Sequence, residues 1–229
     1  MQHQSASGHV LGHGAATISM SLEQAIVLVY GGSAVPNPEQ LHVANSILLQ
    51  ASNDETGAAL TNAVRLLQSN NVPIQVHTFA AHLIGEQLHI VKDVEQRKHL
   101  QALLLESLRG HLDQSNVDNG PNGHQAQMML SRNLATAYSR AVILFAQDVE
   151  AALTEFVNQF LGQVSSMAIA PNQTHHSGIR IVLLLLSALP EHIHKRASLS
   201  YEQQQRMYWK CESWGTRLCL VHILMALSL

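Results

Sequence analysis

Residues 54–68, DETGAALTNAVRLLQ, and residues 73–86, PIQVHTFAAHLIGE, joined by SNNV at 69–72, decide the fold class. In the first run Leu60, Ala63, Val64 and Leu67 recur at three- and four-residue steps, the period of a helix with one apolar face. Asn53 or Asp54 is suited to cap its start, and Asn70-Asn71 closes it. Pro73 falls in the first turn of the second run, where its missing N–H is tolerated, and Phe79, Ala80, Leu83 and Ile84 carry the pattern on. A helix pair this short buries too little surface to stand alone, so it must stack on neighbours.

Neighbours of the same kind lie on both sides. Upstream, Ser21 with Gln24 three residues on forms a capping box for a helix ending at Tyr30 and Gly31-Gly32. Pro36-Asn37-Pro38 opens a second helix, with Leu41, Val43, Ala44, Ile47 and Leu48 at helical spacing up to Gln50. Downstream, Asp93 opens a helix striped by Leu100, Leu103, Leu104, Leu108 and Leu112. The stretch 113–123, rich in Asn, Asp and Gly with Pro121, reads as a loop, and a helix follows from His124 to Phe145. Another begins at Asp148 and runs through Val149, Leu153, Phe156, Val157, Phe160, Leu161 and Val164. After a loop at 170–177, the apolar run from Ile181 to Leu186 reads as an inner helix that stops at Leu189-Pro190-Glu191.

This order of elements predicts an all-α chain, a right-handed α-solenoid of antiparallel helix pairs with HEAT-like or armadillo-like repeats. Four to five pairs fill 19–207, after a disordered leader at 1–18 and before an atypical segment at 208–229. The uneven separations of Asp54, Asp93 and Asp148 mark a degenerate repeat with loop insertions. Trp209, Cys211, Trp214 and Cys219 crowd the last segment with rare residues. Its Leu220, Ile223, Leu224 and Leu227 read as an uncapped apolar end, the mark of a truncated product.

Composition narrows the function classes. Of 229 residues 46% are hydrophobic and 13% charged, enough for a packed core. The net charge of −3 and the scattered basic residues give no footprint for nucleic acid or an anionic membrane. The two cysteines, Cys211 and Cys219, form no disulfide framework and point to a reducing compartment. No apolar run approaches the ~20 residues of a membrane helix, and residues 1–16 lack the pattern of a secretory signal.

Three stretches resemble the N-terminal part of an importin-β-type karyopherin, nearest the importin-thirteen and transportin-SR branch. They are Val72-Pro73 with Phe79-Ala80-Ala81-His82-Leu83-Ile84, then Leu130-Ser131-Arg132-Asn133-Leu134-Ala135-Thr136-Ala137, then Leu184-Leu185-Leu186-Ser187-Ala188-Leu189-Pro190-Glu191. The last is similar to the family's Leu-Glu-Leu-Leu-Thr-Val-Leu-Pro-Glu-Glu without its inner glutamate. The resemblance spans Ser21 to Met207 and implies the first quarter of a nuclear transport receptor. Such a receptor shuttles between nucleus and cytoplasm and binds the GTP form of Ran, cargo proteins and nucleoporins.

Candidate chemistry is sparse. The 15 histidines include His175-His176 in a predicted loop and His192-x-His194 past a predicted helix end, but without companion cysteines or carboxylates they form no zinc pattern. Phosphate-binding glycine loops, dinucleotide fingerprints and nucleophile elbows are missing, Gly120-Pro121-Asn122-Gly123 reads as loop, and a Cys-His pair has no framework, so neither enzyme nor cofactor is expected. The candidate partner-binding residues are the polar stripe of the inner helices: Gln75, Thr78, His82 and Glu86 opposite Phe79 and Leu83, then Arg132, Thr136 and Arg140, then Arg180. The resemblance assigns that stripe to Ran or cargo, and the plainer alternative is the wet face of amphipathic helices in a general HEAT-repeat scaffold.

Overall fold

The structure is a computed structural model that describes residues 20–31, 37–114, 120–155, 158, 174–196 and 199–227, without the side chains of 113–114, 120–122, 124, 174–180 and 217–227. The leader at 1–18, the stripe at Phe156 to Val164, the side chains of Arg180, His175, His176 and Cys219 and the apolar end at Leu220 to Leu227 lie outside the described residues or side chains.

Every described element is helical. Helix α1 (Leu22–Tyr30) starts with the expected capping box: Gln24 N donates to Ser21 Oγ at 3.2 Å, and Ser21 N donates to Gln24 Oε1 at 2.9 Å. Asn37 caps α2 (Pro38–Ser52) through the Glu39 amide. Helix α3 (Ala58–Gln68) begins four residues after Asp54, because Gly57 first turns the chain at φ 86°. Asp54 still serves its start by reaching forward, accepting from the Thr56 amide at 2.9 Å and the Ala59 amide at 2.7 Å. Those bonds hold its carboxyl below the ordinary value, the Ala59 amide most of all.

Helix α4 (Ile74–Gln87) follows Pro73 directly and runs into a 3-10 turn at Leu88–Ile90. Helix α5 (Val94–Gln114) is capped by Asp93, which accepts from the Gln96 amide at 2.8 Å. Leu100, Leu104, Leu108 and Leu112 are buried along it as the stripe predicts, with Leu103 half-buried. Helix α6 (Gly120–Phe145) begins before its expected start, so Gly120-Pro121-Asn122-Gly123 belongs to a first helical turn rather than a loop; proline is tolerated there. Asp148 caps α7 (149–155) through the Glu150 and Ala151 amides.

Helix α8 (Thr174–Lys195) departs most from expectation. His175-His176 fall in its first turn, and Pro190 does not end it; the chain stays helical for five more residues. Proline removes the amide that would donate to Leu186 O, and the same turn is tied to a later residue where Tyr208 Oη donates to Pro190 O at 3.1 Å. His192 and His194 are therefore in the last helical turn, not beyond it. Helix α9 (Tyr201–Leu227) opens with a second capping box between Ser200 and Gln203 and runs unbroken through 207–208, so the expected boundary there lies inside a helix.

Packing follows chain order: α1 on α2, α3 on α4, α5 on α6 and α8 on α9. Helices α4, α6 and α8 touch in sequence, and α1 and α2 also pack on α4. Arg97 at the start of α5 lies over the Phe145 ring at the end of α6, 5.1 Å from its centroid, so these two run antiparallel. By contrast α4 and α6 run parallel, since Thr78 meets Asn133, Gly85 meets Ala137 and Glu86 meets Arg140 in rising order. One continuous core joins all of these helices, and Ile181, Val182, Leu185 and Leu186 sink into it while Leu183 and Leu184 stay half-buried.

Candidate functional site

Between α1, α4 and α6 an open cleft of about 550 Å³ is lined by Tyr30, Gln75, Thr78, Phe79, His82, Gln125, Ala126, Met129 and Asn133. Its apolar part is the Tyr30 and Phe79 rings, 6.2 Å apart between centroids, with the exposed Met129 across from them. A small depression continues from it along α4 and α6, lined by Ala81, His82, Gly85, Glu86, Asn133, Thr136, Ala137 and Arg140. His82 and Asn133 belong to both, so cleft and depression form one groove.

Small residues set the groove's depth. A Cβ on Gly85 would stand 3.2 Å from Ala137 Cβ, so the two backbones approach closely and the polar side chains rise on either side. Asn133 Nδ2 donates to Thr78 O at 3.1 Å across that seam, and Arg140 pairs with Glu86 at 2.6 Å beyond it. Thr78 spends its hydroxyl on its own helix, donating to Ile74 O at 2.8 Å.

The structure brings together Gln75, Thr78, His82, Glu86, Thr136 and Arg140. Arg132 is exposed on the flank toward α8, near enough to Glu191 to help hold that carboxyl below its usual value, after the larger effect of Lys195. The expectation that Phe79 lies opposite the stripe is wrong. Residues 75, 79 and 82 stand at i, i+4 and i+7, one helical face, and Phe79 lines the same cleft as Gln75 and His82, while Leu83 is buried as expected. Gln125, Met129 and Asn133 follow the same four-step rule on α6 and were legible from it; Tyr30 comes from a distant helix and carries no such signal.

On α8, His192 is buried, and among the described residues its Nε2 has no hydrogen-bond partner. Burial pushes its pKa down, Glu191 opposes that, and Arg140 and Lys195 reinforce it. Cys211 on α9 is a buried thiol pushed up to about 11 by desolvation. Among the described residues no three His, Cys, Asp or Glu side chains gather as a metal site would require, and no helix is long and apolar enough to cross a membrane. No protein-family model, curated protein or solved structure matches the chain.

Proposed function

We propose that the chain is a protein-binding α-solenoid, its antiparallel pairs stacked as degenerate HEAT-like repeats, and that it works by binding rather than catalysis. The observation that carries this reading is the convergence of eight polar side chains from α4 and α6 on one open groove with an apolar end. The parallel run of α4 and α6, each the second helix of its pair, supports a repeat arrangement.

The specific partner we propose is the GTP form of Ran, with cargo proteins and nucleoporins as the other partner classes of a receptor moving between nucleus and cytoplasm. Three motifs that resemble importin-β-type karyopherins support it, and they sit on α4, α6 and α8, which touch in sequence. The Leu-Pro-Glu motif supports it least, because α8 continues past Pro190. The test is binding of the full chain to GTP-loaded and GDP-loaded Ran. A preference for the GTP form, lost when Arg132→Glu and Arg140→Glu are combined, is the expected result. Equal binding to both forms, or none by the folded chain, leaves the general scaffold as the reading.

A further inference from the structure

The geometry points to the seam between α6 and α8 as an acid-sensitive joint: a proton on the buried His192 releases α8, with α9 attached, from α6 while α3 and α4 stay folded. His192 is 8% exposed, and among the described residues its Nε2 has no hydrogen-bond partner. A proton gained there makes a buried donor with no acceptor, which costs far more than an exposed one. The imidazole meets α6 at the Thr136 backbone and Arg140. Around it the seam is held by apolar burial of Leu185, Leu189 and Ile193 and by two bonds, Ser139 Oγ to Leu185 O at 3.3 Å and Arg196 Nη2 to Ala146 O at 3.0 Å. Helices α8 and α9 pack on each other, and Tyr208 Oη donates to Pro190 O, so they leave as a pair. The contacts of α4 with α1 and α3 lie outside this seam, and opening by such supersecondary units is how local unfolding commonly divides a chain.

The charges around the seam oppose an imidazolium. On α8 itself Glu191 already pairs with Lys195 at 2.6 Å, and Arg196 stands one turn beyond His192. His194 is exposed, two residues on and so on the other side of the helix. From α6 Arg140 acts on His192 and is paired with Glu86, while Arg132 acts on Glu191. On α9 Lys210 pairs with Glu150 of α7 and Arg206 acts on the same carboxylate, and Tyr208 and the buried Cys211 are neutral. On α5 Arg97 donates to Val91 O and lies over Phe145. Burial already disfavours the charged imidazole; Glu191 opposes that, and Arg140 and Lys195 add to it. The opened seam returns His192 to water and an ordinary pKa of about 6.5, so the open form takes up the proton first as pH falls. The seam keeps its full strength above that value and weakens below it. One histidine can raise the opening equilibrium by at most about tenfold between pH 7.5 and 5.5.

The test is amide hydrogen exchange of the full chain at pH 7.5 and 5.5, corrected for the intrinsic pH dependence of exchange. The expected result is that amides of α8 and of the first half of α9 open several-fold more at pH 5.5, within the tenfold ceiling, while those of α3 and α4 change less. His192→Gln, which stays neutral at both values, removes the excess. Arg140→Gln is the second variant, in case the first does not fold: it takes a positive charge from His192, frees Glu86, and shrinks the excess. His111→Gln, on α5, leaves the response of α8 in place. Equal loss of protection along the whole chain overturns the inference, as does no loss in α8. So does a response that survives His192→Gln, one that is undiminished in Arg140→Gln, or one that vanishes in His111→Gln.

Discussion

Arg140 and Glu86 meet at 2.6 Å across 54 residues of sequence, and the contact closes one end of the groove between two parallel helices. Their side chains remain 30% and 54% exposed, so solvent screens the pair and its worth to the fold is about 0–1 kcal/mol. Its importance is positional, because it joins α4 and α6 at the end of the groove that both helices line.

Replacing Glu86→Gln removes the pair and leaves the groove's shape in place. Urea unfolding is expected to shift by less than about 1 kcal/mol. A larger loss of stability would show that the pair is shielded from solvent despite its exposure.

Gly85 makes a second expectation about the same seam. Its Cβ position stands 3.2 Å from Ala137 Cβ, with Ala81 buried beside it. Gly85→Ala asks for a shift of a few tenths of an ångström. Gly85→Leu drives α6 off α4 and is expected to cost about 1–3 kcal/mol and to abolish ligand binding. A Leu variant that melts with the wild type would mean that the helices are not in contact at this point.

Helix existence was legible because each start carries local chemistry: Ser21 with Gln24, Asn37 before Pro38, and Asp93 and Asp148 before apolar stripes. Ser200 and Gln203 carry the same capping-box signal at the start of α9, beside the rare residues Trp209, Cys211 and Trp214 that make the segment look atypical. Pro190 reads as a stop because proline costs about 3 kcal/mol inside a helix, and α8 runs on through it because its buried residues continue on both sides, Leu185, Leu186 and Leu189 before it and Ile193 after it. On α4 and α6 the groove residues follow from four-step spacing, which also puts Phe79 on the face of Gln75 and His82 although it is aromatic. Neither Tyr30 nor the pairing of Glu86 with Arg140 has a local signature, since both depend on how α1, α4 and α6 come together.

Gln87 ties α4 to the end of α2, and its substitutions give a signed result. Its Nε2 donates to Ala51 O at 2.7 Å and Asp54 O at 3.1 Å while the residue is 1% exposed. Gln87→Leu removes both donors from buried carbonyls and is expected to cost about 1–3 kcal/mol. Gln87→Glu is expected to cost more at neutral pH, where an ionised carboxylate would face two carbonyl oxygens. Its folded pKa is raised, so stability is regained as the acid protonates and is lost again as pH rises through that value. Urea titrations at pH 4.5 and 7.5 test this, and a destabilisation of the Glu variant relative to the wild type that is the same at both pH values would refute it.

His192 and His111 are expected to make the chain less stable on the acid side of neutrality. Both are pushed below their usual value of 6.5, burial being the first cause in each; His77 adds to the effect at His111, as Arg140 and Lys195 do at His192. A depressed histidine pKa means that the unfolded chain takes up protons first as pH falls, so stability is flat above about 6.5 and declines below it until the folded histidines also protonate. The carboxylates held low, Asp54, Glu150 and Glu191, act in the same direction but only near and below the carboxylate range, which leaves pH 5 to 6.5 to the histidines. Unfolding free energies at pH 7.5 and 5.5 are expected to differ clearly for the wild type, less for His192→Gln, and least for His111→Gln combined with His192→Gln. A double variant that keeps the wild-type difference would assign the pH dependence to groups other than these two.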